Sequence, residues 1–439
     1  MLKMNRFRWV FCQLEVLRHC FPTSVRRILE ELPESLDETY ERILKEIRKP
    51  NQGHAHRLMQ CLVVAVRPLR VNEHAEVLAV DFNAVGTSKL NLGWRWEDQE
   101  EAVMLACSSL VMIVKDGDSR VVQFSHFSVK EFLTANRLAE PFRDISRYHI
   151  RLEDAHTILA QACLGVLLRL DDHVDRNSIK NFPLAQYAAQ YWPAHARFEN
   201  ASSRIKDEME CLFDANKPHF TAWLWIYDED QFGDFGTFMP TMSPTKPEAV
   251  PLYYAARLGF RDLAEHLIAE HPEHVNARGG KEETSIHVAA RAGYADILSL
   301  LLDHGADVDA RTKWDWMPLQ RASVYGEVEA GRCLLDRGAD INGRDNNGNT
   351  PLSLATSSGH VEFARMLLER GARISVQDEY GDTPLHEAVS NGHIQVVRLL
   401  LEHGADVDVR NKTGKTPSQW TKQQEILELL SEYGAKSVE

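Results

Sequence analysis

A fixed interval governs the last third of this 439-residue chain. Thr350-Pro351-Leu352 returns 33 positions later as Thr383-Pro384-Leu385, and Thr416-Pro417 follows after another 33. Upstream, Met317-Pro318-Leu319, Thr284-Ser285-Ile286 and Val250-Pro251-Leu252 hold the same slot, reached by steps of 33, 33 and 34. Gly259, Gly293, Gly326, Gly359 and Gly392 keep the same beat. So do Gly305-Ala306-Asp307, Gly338-Ala339-Asp340, Gly371-Ala372-Arg373, Gly404-Ala405-Asp406 and Gly434-Ala435-Lys436. A period of this length means one small supersecondary unit copied in tandem, its apolar stripe buried only by its neighbours. Residues 249–436 are therefore expected to form an array, not one closed core.

Within a unit the residues read as turn, helix, turn, helix and loop. Threonine suits the N-cap, where its hydroxyl accepts from an unpaired helix N–H; proline suits the next position, where a missing N–H costs nothing. Leu385, Ala388 and Val389 recur at helical spacing on one face. Gly392 is placed to end that helix with positive φ, and Gly404 to end the second, whose stripe is Ile394, Val397, Leu400 and Leu401. Asp345-Asn346-Asn347-Gly348 and Asp378-Glu379-Tyr380-Gly381 read as turn tips. The recurring T-P-L-H-x-A, G-H and L-L-L-x-x-G-A-D phrases resemble the ankyrin repeat. Six units open near Ala249, Glu283, Met317, Thr350, Thr383 and Thr416. The first carries an extra residue around Asn276 to Gly280, and the last shortens to 30 residues between Gly404 and Gly434, as suits terminal caps.

The first half reads differently. Phe7-Arg8-Trp9-Val10-Phe11-Cys12-Gln13-Leu14, then Arg27-Ile28-Leu29, then Leu32-Pro33-Glu34-Ser35-Leu36-Asp37-Glu38-Thr39-Tyr40-Glu41-Arg42-Ile43-Leu44 resembles the end of a NACHT module. The form is that of the fungal NACHT–ankyrin proteins, which are NLR-like signalling NTPases. The resemblance implies a P-loop upstream of this phrase. Met1 falls just before it, so residues 1–50 are read as the helical tail of a truncated module. Gly414-Lys415-Thr416 is no substitute, because Val409 stands where a Walker A loop needs glycine.

Residues 51–140 are expected to form a winged-helix domain. Helices are read at His54–Val66, at Asn72–Val80 with Asn72 as cap, and at Glu97–Cys107. A small β-hairpin follows, Leu110–Val114 and Val121–Phe124 around Lys115-Asp116-Gly117-Asp118, and then a helix over Ser128–Leu138. Phe124-Ser125-His126-Phe127-Ser128 through Glu131-Phe132-Leu133 resembles the F-x-H…E-F-L stretch of NLR winged helices. There the resemblance implies a histidine on ADP phosphates. His126 holds that slot and serves it only with a nucleotide domain present; otherwise it is a helix-cap contact. Phe124, Phe127, Phe132 and Leu133 are assigned to the core. Residues 141–227 read as a helical bridge. Its pieces are Ile158–Leu170, Phe182–Pro193 (stopped by its proline), Glu208–Phe213 and Phe220–Tyr227. Trp223, Trp225 and Tyr227 are expected to pack against the first repeat. Residues 228–248, with three prolines, read as a linker. The fold class is mainly α: an ankyrin solenoid preceded by a helical region and a winged helix.

Composition narrows the function. A net charge of −14 and a pI near 5.8 disfavour a broad footprint on nucleic acid or anionic membrane. The second helix of the winged module, Asn72 to Leu78, carries two carboxylates and neither Lys nor Arg, the wrong charge for a major groove. No apolar run reaches the ~18 residues of a membrane span. Seven scattered cysteines without metal-ligand spacing read as free thiols in a reducing compartment, the cytoplasm, with the nucleus left open. G-x-S-x-G and H-E-x-x-H are both absent. His266 and His271 are five apart and share no helix face, so no zinc site is read with His274. His287, His360, His386 and His393 recur at repeat positions and take structural roles. No catalytic residue, cofactor or metal site is expected.

What remains is binding. The ankyrin resemblance implies a concave face built from turn tips and first helices. Its free positions are Lys313, Trp314, Trp316, Val324 and Tyr325 in the third unit. Asn346, Asn347, Asn349, Ser357 and Ser358 follow in the fourth, and Glu379, Tyr380, Asp382, Ser390 and Asn391 in the fifth. Exposed Trp and Tyr at such a rim serve as anchors. The expected function is non-enzymatic protein–protein interaction. The alternatives are a regulatory fragment of a NACHT-type nucleotide-switched ATPase and a winged-helix DNA-binding regulator.

Overall fold

The computed structural model describes residues 35–84, 86–139, 144–171, 173–227 and 247–435; the readings for 1–34 and 228–246 lie outside the described residues. The chain divides into two compact units, Met1–Lys246 and Pro247–Glu439.

The first unit begins with α1 (Leu36–Glu46), where the Ser35 hydroxyl accepts from Glu38 N at 3.2 Å. There follow α2 (Gln52–Val64), α3 (Val71–Glu76), β1 (Val80–Asp81), β2 (Lys89–Leu90), α4 (Gln99–Cys107), β3 (Val111–Asp116), β4 (Ser119–Phe124) and α5 (Phe127–Thr134). β3 and β4 pair antiparallel with Val111 opposite Phe124, and Gly117 takes positive φ in the turn. Leu69 and Arg70, between α2 and α3, add a short third run: Val122 N donates to Leu69 O at 2.9 Å and Arg70 pairs with Val121. The β1–β2 hairpin is too short for any alternation to show in the sequence. Arg70, not Asn72, precedes α3, and the Glu73 carboxylate reaches back to accept from Arg70 N at 2.8 Å. On α1, Tyr40, Ile43 and Leu44 point inward; the Tyr40 ring lies 5.4 Å from that of Phe132 and its hydroxyl 2.9 Å from Ser128 Oγ. α1, which falls in the segment read as residues 1–50, thus packs against α5. Phe132 and Leu133 are buried and Phe124 is half-buried, but Phe127 is 47% exposed, since it opens α5 and lies beside the His126 ring.

The bridge comprises α6 (Leu152–Leu167), α7 (Ala185–Ala196), α8 (Ala201–Arg204), α9 (Lys206–Leu212) and α10 (Pro218–Tyr227). α6 is apolar and packs on both α2 and α7. Pro193 does not stop α7 as expected but lies inside it. A proline there removes the N–H owed to Ala189 O. The Trp223 indole takes its place, donating to Ala189 O at 3.2 Å. Trp223 is fully buried among Trp192, Phe213 and Phe220, with ring centroids 6.0, 5.3 and 5.9 Å away. It belongs to the bridge's own aromatic core.

The second unit repeats one theme. Its helices are α11 (Pro251–Leu258), α12 (Arg261–Glu270), α13 (Ser285–Ala292), α14 (Ala295–Asp303), α15 (Pro318–Tyr325), α16 (Val328–Asp336), α17 (Pro351–Ser357), α18 (Val361–Glu369), α19 (Pro384–Ser390) and α20 (Ile394–Glu402). A 3-10 turn (Pro417–Trp420) and α21 (Gln424–Glu432) close it. First helices pack on first helices and second on second, one unit to the next. In the second, third and fifth units a polar side chain three residues past the cap ties neighbours together. His287 Nε2 meets Trp316 O at 3.0 Å, Gln320 Nε2 donates to Asn349 O at 2.8 Å, and His386 Nε2 meets Lys415 O at 3.2 Å. The other end of the imidazole serves its own cap, with His287 Nδ1 2.9 Å from Thr284 Oγ1. In the fourth unit this slot holds Ser353, whose shorter side chain closes only the local cap, its Oγ accepting from Thr350 N at 2.8 Å.

The mid-unit glycines serve two ends. Gly326 takes φ +73°, and a Cβ there would lie 2.6 Å from the His360 ring. That ring crosses the gap to place Nε2 2.8 Å from Val324 O. Gly326→Ala is therefore expected to lose about 1–3 kcal/mol, from the positive φ and the displaced ring together. Chemical denaturation checks this.

Acid sensitivity is built into the cores. Burial drives the His74 imidazole down from 6.5 to about 3 and His195 likewise to about 3, while His287 falls to about 4. A native histidine with a lowered pKa stays neutral while the unfolded chain takes up a proton. Stability is then fully present above about pH 6.5 and falls as the pH drops toward the native values. Neither ring nitrogen of His74 has a hydrogen-bond partner. His74→Leu is expected to shrink the loss of melting temperature between pH 7.5 and pH 5.5, and an unchanged loss would refute it.

Candidate protein-binding surface

The turn tips of successive repeats are tied edge to edge. Lys313 N donates to Lys281 O at 3.2 Å, Asn346 N to Trp314 O at 3.5 Å, Glu379 N to Asn347 O at 2.8 Å and Lys412 N to Tyr380 O at 3.0 Å. Each tip is also closed from within: the Asp345 carboxylate accepts from Asn347 N and Asn349 N, and Asp378 from Tyr380 N and Asp382 N. Such Asx turns fix the backbone and leave the next side chains pointing away from it. The outcome is a rigid row that carries Trp314, Asn347 and Tyr380 on consecutive tips.

Eight of the expected residues are exposed there: Lys313, Trp314, Tyr325, Asn347, Ser358, Glu379, Tyr380 and Asn391. Trp314 is 44%, Tyr325 51% and Tyr380 63% exposed. Lys281 Nζ stands 5.9 Å from the centre of the Trp314 ring. A hydrogen bond to Glu379 raises the Tyr380 phenol above its usual range. Asn391 Nδ2 donates to Ser357 Oγ at 3.3 Å, and Ser357 Oγ to Glu387 at 3.1 Å, so the first helices of the fourth and fifth units share a polar strip. Burial first, and the Asp378 and Asp382 carboxylates besides, push the Glu387 carboxyl up.

Four of the expected residues belong to the framework instead. Trp316 is half-buried beneath the Arg321 guanidinium, 4.6 Å from its ring centre, and its carbonyl serves His287. Val324 is half-buried, with its carbonyl on His360. Asn349 donates to Asp345 Oδ2 at 3.1 Å, and its carbonyl accepts from Gln320. Asp382 is buried and accepts from Asn411 Nδ2 at 2.8 Å. Sequence reasoning passed over two others. Trp420 is exposed, with Lys415 Nζ 5.7 Å from its ring centre, and Lys281 sits over Trp314. Counting four residues from Thr416 would have placed Trp420 in the slot of Arg321 and Glu387.

In the first unit His126 caps α5. Its Nδ1 accepts from Ser128 N at 3.2 Å and lies 2.6 Å from Ser128 Oγ. The helix weighed for DNA, α3, is covered: Glu73, His74, Ala75 and Glu76 are all buried. Glu73 takes a two-pronged contact from Arg67 at 2.8 and 2.7 Å, which raises that guanidinium's pKa. Glu76 pairs with Arg95 and accepts from Leu184 N at 2.6 Å, while burial raises its carboxyl.

Residues 252–345, 286–378, 343–411 and 371–438 match the profile of ankyrin repeats. The second unit is an ankyrin-repeat array. Residues 40–143 match the winged helix domain of GPI inositol-deacylase. Neither profile describes a catalytic module. The azaphilone pigments biosynthesis cluster protein L of Monascus ruber is 32% identical over 294 residues, covering 64% of this chain and 61% of that relative. The chain thus spans about three fifths of that relative's length. Ankyrin repeat domain-containing protein 49 of Bos taurus is 35% identical over 101 residues, 22% of this chain and 42% of that protein. BCL-6 corepressor-like protein 1 of Mus musculus is 40% identical over 62 residues, 14% of this chain and 4% of its own. Among the described residues no helix is long and apolar enough to cross a membrane.

Framework and face should separate in a stability experiment. Gln320 is fully buried and serves both Met317 N and Asn349 O. Gln320→Ala leaves both unpaired, at a cost of about 1–3 kcal/mol. Trp314→Ala and Tyr380→Ala are each expected to stay within about 0.5 kcal/mol of the parent, as exposed positions do. Denaturant melts of the three variants test the order.

Proposed function

We propose that this chain is a non-enzymatic interaction protein that holds a protein partner on the tips and first helices of its ankyrin repeats. One observation carries the reading. Trp314, Tyr325 and Tyr380 stand exposed on a backbone otherwise locked by hydrogen bonds between repeats. Large, stiff, half-wet aromatics on a rigid support lose little entropy on binding and form the centres of protein interfaces. Lys313, Asn347, Ser358, Glu379 and Asn391 supply the polar rim. We assign residues 51–140 to the winged helix and 141–227 to the bridge, with α1 packed on the former, and place the chain inside the cell. The burial of α3 speaks against a groove-reading role. In a comparative pull-down the parent should retain a partner that the Trp314→Ala/Tyr380→Ala double variant loses, while a Trp94→Ala/Trp96→Ala control keeps it. Equal retention by all three would end the proposal.

A second reading is favoured by the winged-helix match and by His126. In it the chain is the regulatory part of a NACHT-type nucleotide switch of the fungal NLR-like kind. Binding of fluorescent ADP by the parent that vanishes in His126→Ala would support this second reading.

A further inference from the structure

The first repeat departs from the array's own pattern after its second helix. Later units leave that helix on a positive-φ glycine, namely Gly305, Gly338, Gly371 and Gly404. Here the chain instead runs His271-Pro272-Glu273-His274 through a 3-10 turn. Pro272 fixes φ, His274 N donates to His271 O at 3.0 Å, and Val275 just beyond is buried. The backbone is therefore held on both sides of three side chains that converge. His271 Nδ1 lies 3.2 Å from Glu273 Oε1, and His274 Nε2 lies 3.9 Å from the same oxygen. The two imidazoles stack with centroids 4.8 Å apart, and all three donor atoms fall within 4.8 Å of one another.

We propose that His271, Glu273 and His274 bind a divalent ion of the zinc class, with a fourth position left to water. Tetrahedral zinc, with bonds of about 2.0–2.1 Å to nitrogen and oxygen, sets its donors roughly 3.3–3.5 Å apart. The separations of 3.2 and 3.9 Å straddle that value, and rotation of partly exposed side chains closes the third. Two imidazoles with one carboxylate suit zinc and its borderline neighbours; calcium and magnesium prefer oxygen alone. His266 stands outside the site, with Nε2 3.6 Å from Glu270 Oε2 on α12. The other convergent group among the described residues, Asp378, Asp382 and Glu387, offers only oxygens, and Asp382 is taken by Asn411. It gives the experiment an internal control.

The test is a Zn²⁺ titration of the metal-free full chain against a chromogenic chelator, with Co²⁺ spectra alongside. The parent should take up zinc in a form that His271→Ala and His274→Ala each weaken by about tenfold or more, since even an outer-shell change costs about 10–100-fold. His266→Ala and Glu387→Gln should bind as the parent does. Cobalt should give the strong visible bands of a tetrahedral ion in the parent and lose them in His274→Ala. The altered side chains are partly exposed, so metal-free melting temperatures should match. Should a variant melt early, the parent's cobalt spectrum decides alone. Zinc uptake that ignores both histidines, or a parent cobalt spectrum of octahedral type, overturns the site.

Discussion

A helix pair of this kind cannot bury its own apolar stripe, and the second unit follows from that shortage. Val396, Val397, Leu400 and Leu401 on α20 reach zero or near-zero exposure by packing with Leu385, Ala388 and Val389 of their own unit and Ile426, Leu429 and Leu430 beyond. Stability is thus held jointly, and a fault in one unit weakens its neighbours. The polar ties work on the same scale. His287, Gln320 and His386 each satisfy their own cap and reach the following turn, so an otherwise costly buried polar group stitches two units together.

This economy decides which side chains are left to act. Once tip backbones are closed by Asp345 and Asp378 and laced across units, most of their polar groups are committed. Trp316, Asn349 and Asp382 go to the framework although they sit beside residues that do not. Trp314 and Tyr380 remain outside, with their backbones held in the tips and their rings exposed. The capacity to bind is what the framework does not consume.

The first unit relies on other means. Buried carboxylates at Glu73 and Glu76 are tolerable because guanidinium groups and backbone N–H groups meet them. Glu76 reaches Leu184 N, 108 positions away, and Tyr187 OH reaches Val66 N at 3.1 Å, so the hairpin-bearing part and the bridge share one polar and apolar interior.

Period, helix starts and glycine stops were legible in the sequence, because each is a local rule of backbone geometry that recurs every 33 residues. The helices and the β3–β4 hairpin of the winged-helix region were legible from apolar spacing and an Asp-Gly turn signal. Tertiary structure alone decided the rest. That Pro193 sits within α7 depends on an indole 30 positions downstream; no local rule could say that Ala189 O would find a donor. Trp316 and Trp314, two residues apart, part company because one meets the Arg321 guanidinium and the other a turn tip. Five-residue spacing directed attention to His266 and His271, whereas a 3-10 turn brings His271 to Glu273 and His274. Sequence determines what each segment does with its own backbone; which side chains are used up, and which stay free, is settled only when distant segments compete for the same partners.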